Sequence, residues 1–135
     1  MTSRRPIEPM LRDEDPPDEA AAVIRAGPVT AEKIVEHANR ELARFTYRGE
    51  PLAAISVDVT VGGWDVDRIL RERLWSRSRY ALAAAGDLRA ADYELLPTAN
   101  RPHYSLVLPS ATFEDAVALL AHFGPTIENE YRRRR

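Results

Sequence analysis

Between Asp92 and Phe123 the chain reads DYELLPTANRPHYSLVLPSATFEDAVALLAHF, and within that stretch the apolar period changes from that of strands to that of a helix. Tyr93, Leu95 and Pro97 alternate with Glu94, Leu96 and Thr98. Tyr104, Leu106 and Leu108 alternate with His103, Ser105 and Val107. Successive strand side chains point to opposite faces, so both runs read as strands. Ala99-Asn100-Arg101-Pro102 between them is a turn of hairpin length. Pro109 ends the second strand. Thr112 then caps a helix whose first turn carries Glu114 and Asp115, where the helix dipole favours negative charge. Phe113, Ala116, Val117, Leu120 and Phe123 share its apolar face, with Leu119 at the edge, and Gly124-Pro125 stops it. Burial of Phe113, Val117 and Leu120 against the strands would contribute about 1.5–3 kcal/mol each.

The upstream chain reads as material that packs on this unit. Residues 1–17, with four prolines and the run Asp13-Glu14-Asp15, read as a disordered acidic arm. Asp18 to Ala26 reads as a short helix stopped by Gly27-Pro28. Thr30 caps a helix from Ala31 to Phe45, whose core stripe is Ile34, Val35, Ala38, Leu42 and Phe45. His37 lies on the flank of that stripe, as a structural or exposed residue. Leu52 to Val61 alternates strictly, with Ile55, Val57, Val59 and Val61 opposing Ser56, Asp58 and Thr60. Asp58 is then either an arginine-paired or solvated carboxylate, or one presented to a cleft.

Gly62-Gly63-Trp64-Asp65 leads into a helix expected from Val66 to Arg79. A glycine turn at a helix start suits an anion. However, no GxGxxG or GK[ST] sequence is present and Asp65 and Asp67 add negative charge there, so a plain turn with an aspartate cap is the expectation. On this helix Val66, Ile69, Leu70 and Leu74 are apolar, and Arg73 and Arg77 share their face. Asp67–Arg71 and Arg68–Glu72 are spaced as pairs one turn apart. Arg71, Trp75 and Arg79 make a second stripe with cation–π character. An arginine on an apolar face must extend its head to water, pair with a carboxylate, here Asp58 or Glu94, or line a pocket. Residues 80–91, YALAAAGDLRAA, fit either a continued helix or a short strand followed by a one-turn helix, with a break at Gly86.

Basic charge is carried by 18 arginines and the single Lys33, and alanine is abundant, as in the proteins of a GC-rich bacterial genome. The formal net charge of −2 does not itself point to nucleic acid. Without cysteine there is no disulfide framework, thiolate metal site or cysteine nucleophile. His37, His103 and His122 lack ligand spacing, so neither a metal nor another cofactor is expected. No apolar run approaches the roughly 20 residues that span a bilayer, and the N-terminal residues lack the apolar core of a secretory signal. The expected location is the cytoplasm.

Together these readings give an α+β protein: a small, mostly antiparallel sheet of three to four strands with helices packed chiefly on one face. Its expected organisation is an arm over 1–17, one domain over 18–124 and a basic tail over 125–135. The tail's Arg132–Arg135 run reads as solvated. The expected function is a binding or regulatory module that engages an anionic or protein partner through Arg71, Arg73, Trp75, Arg77, Arg79 and Tyr104. A protein partner or homodimer is expected, and nucleic acid is a further candidate partner. His103 is the one plausible general acid or base near neutral pH. The HYS strand followed by a short helix resembles part of several small bacterial toxin domains, although no residue role follows from it. The alternative function is accordingly a toxin-like ribonuclease or nucleotide group transferase, with His103 moving a proton beside arginines.

Overall fold

The computed structural model describes residues 5–133; residues 1–4 of the expected arm and Arg134–Arg135 of the expected tail lie outside the described residues. In chain order the elements are β1 (Ala22–Ala26), α1 (Ala31–Arg44), β2 (Thr46–Tyr47), β3 (Glu50–Pro51), β4 (Ala54–Val59) and α2 (Val66–Glu72). There follow β5 (Arg79–Ala84), α3 (Ala85–Ala90), β6 (Glu94–Leu96), β7 (His103–Val107), α4 (Phe113–Leu120), β8 (Ile127–Glu128) and α5 (Glu130–Arg133). The fold is α+β, with a six-stranded antiparallel sheet ordered β6-β7-β4-β1-β5-β8 and a separate β2–β3 hairpin.

The sheet has more strands than expected, and the additions have physical causes. Ala22–Ala26 was expected to be helical, because alanine-rich segments favour helix. It is instead β1, at the centre of the sheet between β4 and β5. Val23 and Ile24 point to opposite faces, and both are fully buried. Burial on two faces outweighs local propensity. Residues 79–84 form β5 rather than a continuation of α2, and residues 127–128 pair with β5 as β8. Residues 80–91 thus follow the strand-then-helix reading, with Gly86 inside α3 rather than at a break.

One face of the sheet carries Val23, Ile55, Val57, Val59, Leu95, Tyr104 and Leu106, in a core shared with Ile34 of α1, Leu88 of α3 and Leu119 of α4. Thr30 caps α1 by accepting the Lys33 N–H, and Thr112 caps α4 by accepting the Asp115 N–H. The expected face of α4 is corrected: Phe113 and Val117 are 55% and 48% exposed, whereas Ala116 and Leu119 are fully buried. The helix packs against α1, with Ala116 and Leu119 in the core shared with the sheet, and a small residue such as Ala116 permits the close approach that Phe113 would block.

The opposite face carries Ile24, Ser56, Asp58, His103 and Ser105, as the register Ile24↔Asp58, Ser56↔Ser105 and Asp58↔His103 requires. The C-terminal end of α2 is tied to this face by Arg73, which pairs with Asp58 at 3.2 Å. Helical structure is therefore not confined to one face.

The acidic segment read as an arm lies along the domain. The Ile7 N–H donates to the Arg44 carbonyl, the Thr46 N–H to the Ile7 carbonyl, and the Arg12 N–H to the Pro97 carbonyl. The Glu14 side chain is only 8% exposed and accepts hydrogen bonds from Tyr104, Arg12 and Arg101, while Asp13 and Asp15 face outward.

Candidate anion-binding cleft

β1 and β4 pair only at Val23↔Val59 and Ile24↔Asp58. Beyond that point the Ser56 carbonyl is taken by a side chain: Arg25 Nη1 donates to it at 2.9 Å. The sheet is thus opened next to α1, and a cleft of about 520 Å³ occupies the opening. Its walls come from four places: Arg25 on β1; Lys33, Glu36, His37 and Arg40 on α1; Arg73 and Arg77 at and beyond the end of α2; and Asp58 with His103 on the sheet.

Five cations line this cleft against two carboxylates. Glu36 is shared by Lys33 at 3.4 Å and Arg40 at 3.9 Å, and Asp58 is taken by Arg73. Arg25 and Arg77 have no carboxylate within ion-pair distance among the described residues. Arg25 Nε is buried with no hydrogen-bond partner among the described residues. Burial pushes the Arg25 guanidinium down to about 10, and the neighbouring charges of Arg77 and Arg40 add to the effect. It stays protonated at neutral pH, as an incompletely compensated positive charge.

The two histidines are differently held. Arg25 Nη1 lies 3.2 Å from His37 Nδ1, and a guanidinium offers only donors. His37 Nδ1 therefore accepts, which leaves a proton on Nε2, 3.7 Å from Glu41 Oε1. His103 Nδ1 lies 3.0 Å from Thr98 Oγ1 and 3.2 Å from the Thr98 carbonyl. Burial holds the His103 pKa below its ordinary value, against the opposing pull of Thr98 and Asp58. Burial likewise raises the Asp58 pKa, with Arg73 and His103 opposing.

The structure therefore gathers Asp58, the neighbouring Arg73 and Arg77, and His103, from three separate parts of the sequence, into one concavity. The remaining expected site residues lie elsewhere. Arg71 pairs with Asp67 at 2.6 Å on the exposed side of α2. Trp75, 40% exposed, stands in the turn beyond the helix. Arg79 opens β5 opposite Glu128. The Arg71–Trp75–Arg79 stripe does not form, because α2 ends at Glu72 instead of Arg79. Two carbonyls in the turn that follows, those of Leu74 and Arg77, are capped by the buried Asn129 amide. Among the described residues, a cation–π contact in this region is made by Arg68 over Trp64, at 3.8 Å. Tyr104 is buried in the core, with its hydroxyl on Glu14 and the Arg12 guanidinium over its ring. Glu94 bonds Tyr47 and Arg48 rather than an arginine of the α2 region.

Sequence reasoning missed Arg25, Lys33, His37 and Arg40 as cleft residues. The available signal was Arg25 itself: in AVIRA read as a buried strand, an arginine demands a reason. Among the described residues, no group of three or more His, Cys, Asp or Glu side chains could hold a metal ion. No helix among them is long and apolar enough to cross a membrane. Comparison with protein-family models, with curated proteins and with solved structures returned no match.

Proposed function

We propose that the protein is a binding module that takes a small anionic ligand in the arginine cleft. The observation that carries this reading is the pair Arg25 and Arg77, two guanidinium groups on one concavity with no carboxylate in ion-pair range among the described residues. Arginine forks suit the oxygens of phosphate and carboxylate, and a multiply charged anion would offset the cost of burying Arg25. The outer side of α2 supports a polymeric partner less well, because Arg68 and Arg71 already pair with Glu72 and Asp67. Titration with inorganic pyrophosphate at low ionic strength tests the reading. Saturable binding at one site is expected, weakened at least about tenfold by Arg77→Ala, since a charge-assisted hydrogen bond contributes about 1.5–3 kcal/mol. Binding unaffected by that change, or none, contradicts it.

A second reading is favoured by His103. Its Nδ1 is engaged by Thr98, which leaves Nε2 as the ring atom able to take a proton, beside Arg73 and Asp58. A nucleotide group transferase or ribonuclease would use that arrangement. In that case His103→Gln abolishes turnover of a phosphodiester or nucleotide substrate while leaving pyrophosphate affinity intact. An unchanged turnover would remove the reading.

A further inference from the structure

The anion cleft has a neighbour. A second cavity of about 290 Å³ is lined by Phe45, Leu52 and Met10, with Glu41 among its polar residues. Ser56 and His103 line both cavities. So does one helix: Lys33, His37 and Arg40 border the first, and Glu41 and Arg44 border the second. The rise of an α-helix places Lys33 and Arg44 about 16 Å apart along the axis. The two halves differ in chemistry. The first is cationic, whereas the second has aromatic and aliphatic walls, part of which come from Pro9 and Met10 of the N-terminal segment.

Two side-chain polar atoms are buried without a hydrogen-bond partner among the described residues, Arg25 Nε and Glu41 Oε2. One belongs to a residue of each cavity. The nearest side-chain nitrogens to the Glu41 carboxylate are His37 Nε2 at 3.7 Å and Arg44 Nη1 at 3.9 Å. The groove is therefore polarised along its length, with uncompensated positive charge at one end and a poorly paired carboxylate beside apolar walls at the other.

We propose that the two cavities form one groove for a phosphate monoester of a ring-bearing body, with the phosphate between Arg25 and Arg77 and the ring against Phe45 and Leu52. This rests on the anion-binding reading of the first cavity and adds the chemical class of the ligand. Ser56 and His103 stand at the junction, where the ester link would pass. Glu41 favours a ring that carries a hydrogen-bond donor, such as an amino group, over one that presents only acceptors.

Calorimetric titration of the intact chain with inorganic phosphate, phenyl phosphate, adenosine monophosphate and adenosine tests the groove. Both esters are expected to bind at least tenfold more tightly than inorganic phosphate, adenosine monophosphate the more tightly of the two, and adenosine the most weakly. Ser56→Leu, which fills the junction, is expected to bring adenosine monophosphate down to the affinity of inorganic phosphate. Equal affinities for inorganic phosphate and both esters overturn the groove while leaving the anion cleft standing. Absence of binding by every phosphate overturns both.

Discussion

Asp58 shows how a residue's role depends on its neighbours. From the alternation of β4 it was legible as a carboxylate on the polar face, and pairing with Arg73 was one of its expected fates. The structure makes that pair, at 3.2 Å, inside a cleft where positive charge is in excess. A carboxylate there competes with a bound anion for Arg73. Asp58→Asn is therefore expected to strengthen pyrophosphate binding severalfold, because it frees Arg73 and removes a like charge. Weaker binding in the same titration would mean that Asp58 contacts the ligand or holds the cleft open. His103 is expected to titrate below 6.5, its ordinary value. A depressed value means that its contribution to stability is present above pH 6.5 and is lost as the pH falls through the folded-state value. Proton NMR of the three imidazoles checks this, and a His103 titration at or above 6.5 would contradict it. Arg25 was not legible: its significance depends on β1 being a strand, and five residues rich in alanine carry no periodic signal strong enough to say so.

The elements divide by how much their own sequence decides. β4 and β7 were readable, because strict alternation places Ile55, Val57, Tyr104 and Leu106 on the buried face. The caps of α1 and α4 were readable for the same local reason, a threonine side chain accepting a backbone N–H. The end of α2 was not, since it depends on Asn129, 55 residues away, whose amide takes the Leu74 carbonyl. Asn129 also accepts the Tyr131 N–H, and its side chain is buried. Asn129→Ala is expected to cost about 1–3 kcal/mol in chemical denaturation, because two part-buried carbonyls lose their donor. A cost within 0.5 kcal/mol, the order of a neutral surface change, would show that the tie is dispensable. α3 makes a second such case. A Cβ on Gly86 would stand 2.8 Å from Glu19 Cβ and 3.1 Å from the Glu19 backbone. Gly86→Ala is thus expected to destabilise by about 1–3 kcal/mol through overpacking, whereas helix propensity taken by itself would predict a gain of about 1 kcal/mol.

At the scale of the molecule, the N-terminal segment fastens the turn that leads from Thr98 into His103 at the start of β7. Arg12 Nη1 donates to the carbonyls of Thr98 and His103, and Glu14 joins Arg12, Arg101 and Tyr104. Composition read the segment as disordered; three donors converging on one carboxylate could not be seen without the fold. Burial pulls the Glu14 pKa upward, but hydrogen bonds from Tyr104, Arg12 and Arg101 prevail and hold it below 4.5. A depressed carboxylate contributes stability that is present above pH 4.5 and is lost as pH falls through the folded-state value. Acidification below pH 4.5 is therefore expected to expose residues 5–17 to proteolysis before the sheet unfolds. Glu14→Gln should show that exposure already at pH 7, and full protection of the variant would contradict the fastening role. Burial and the Glu14 carboxylate also push Tyr104 up to about 12, so it is expected to ionise late among the tyrosines in an ultraviolet titration.

The central claim is that anion binding is located in the opening between β1 and β4. The most direct measurement is heteronuclear NMR of the arginine Nε–H and histidine side chains during titration with inorganic pyrophosphate. Saturable shifts at Arg25, Arg77 and His103, with Arg48 and Arg132 unmoved, are the predicted result. Shifts confined to exposed arginines, or rising without saturation, would contradict it.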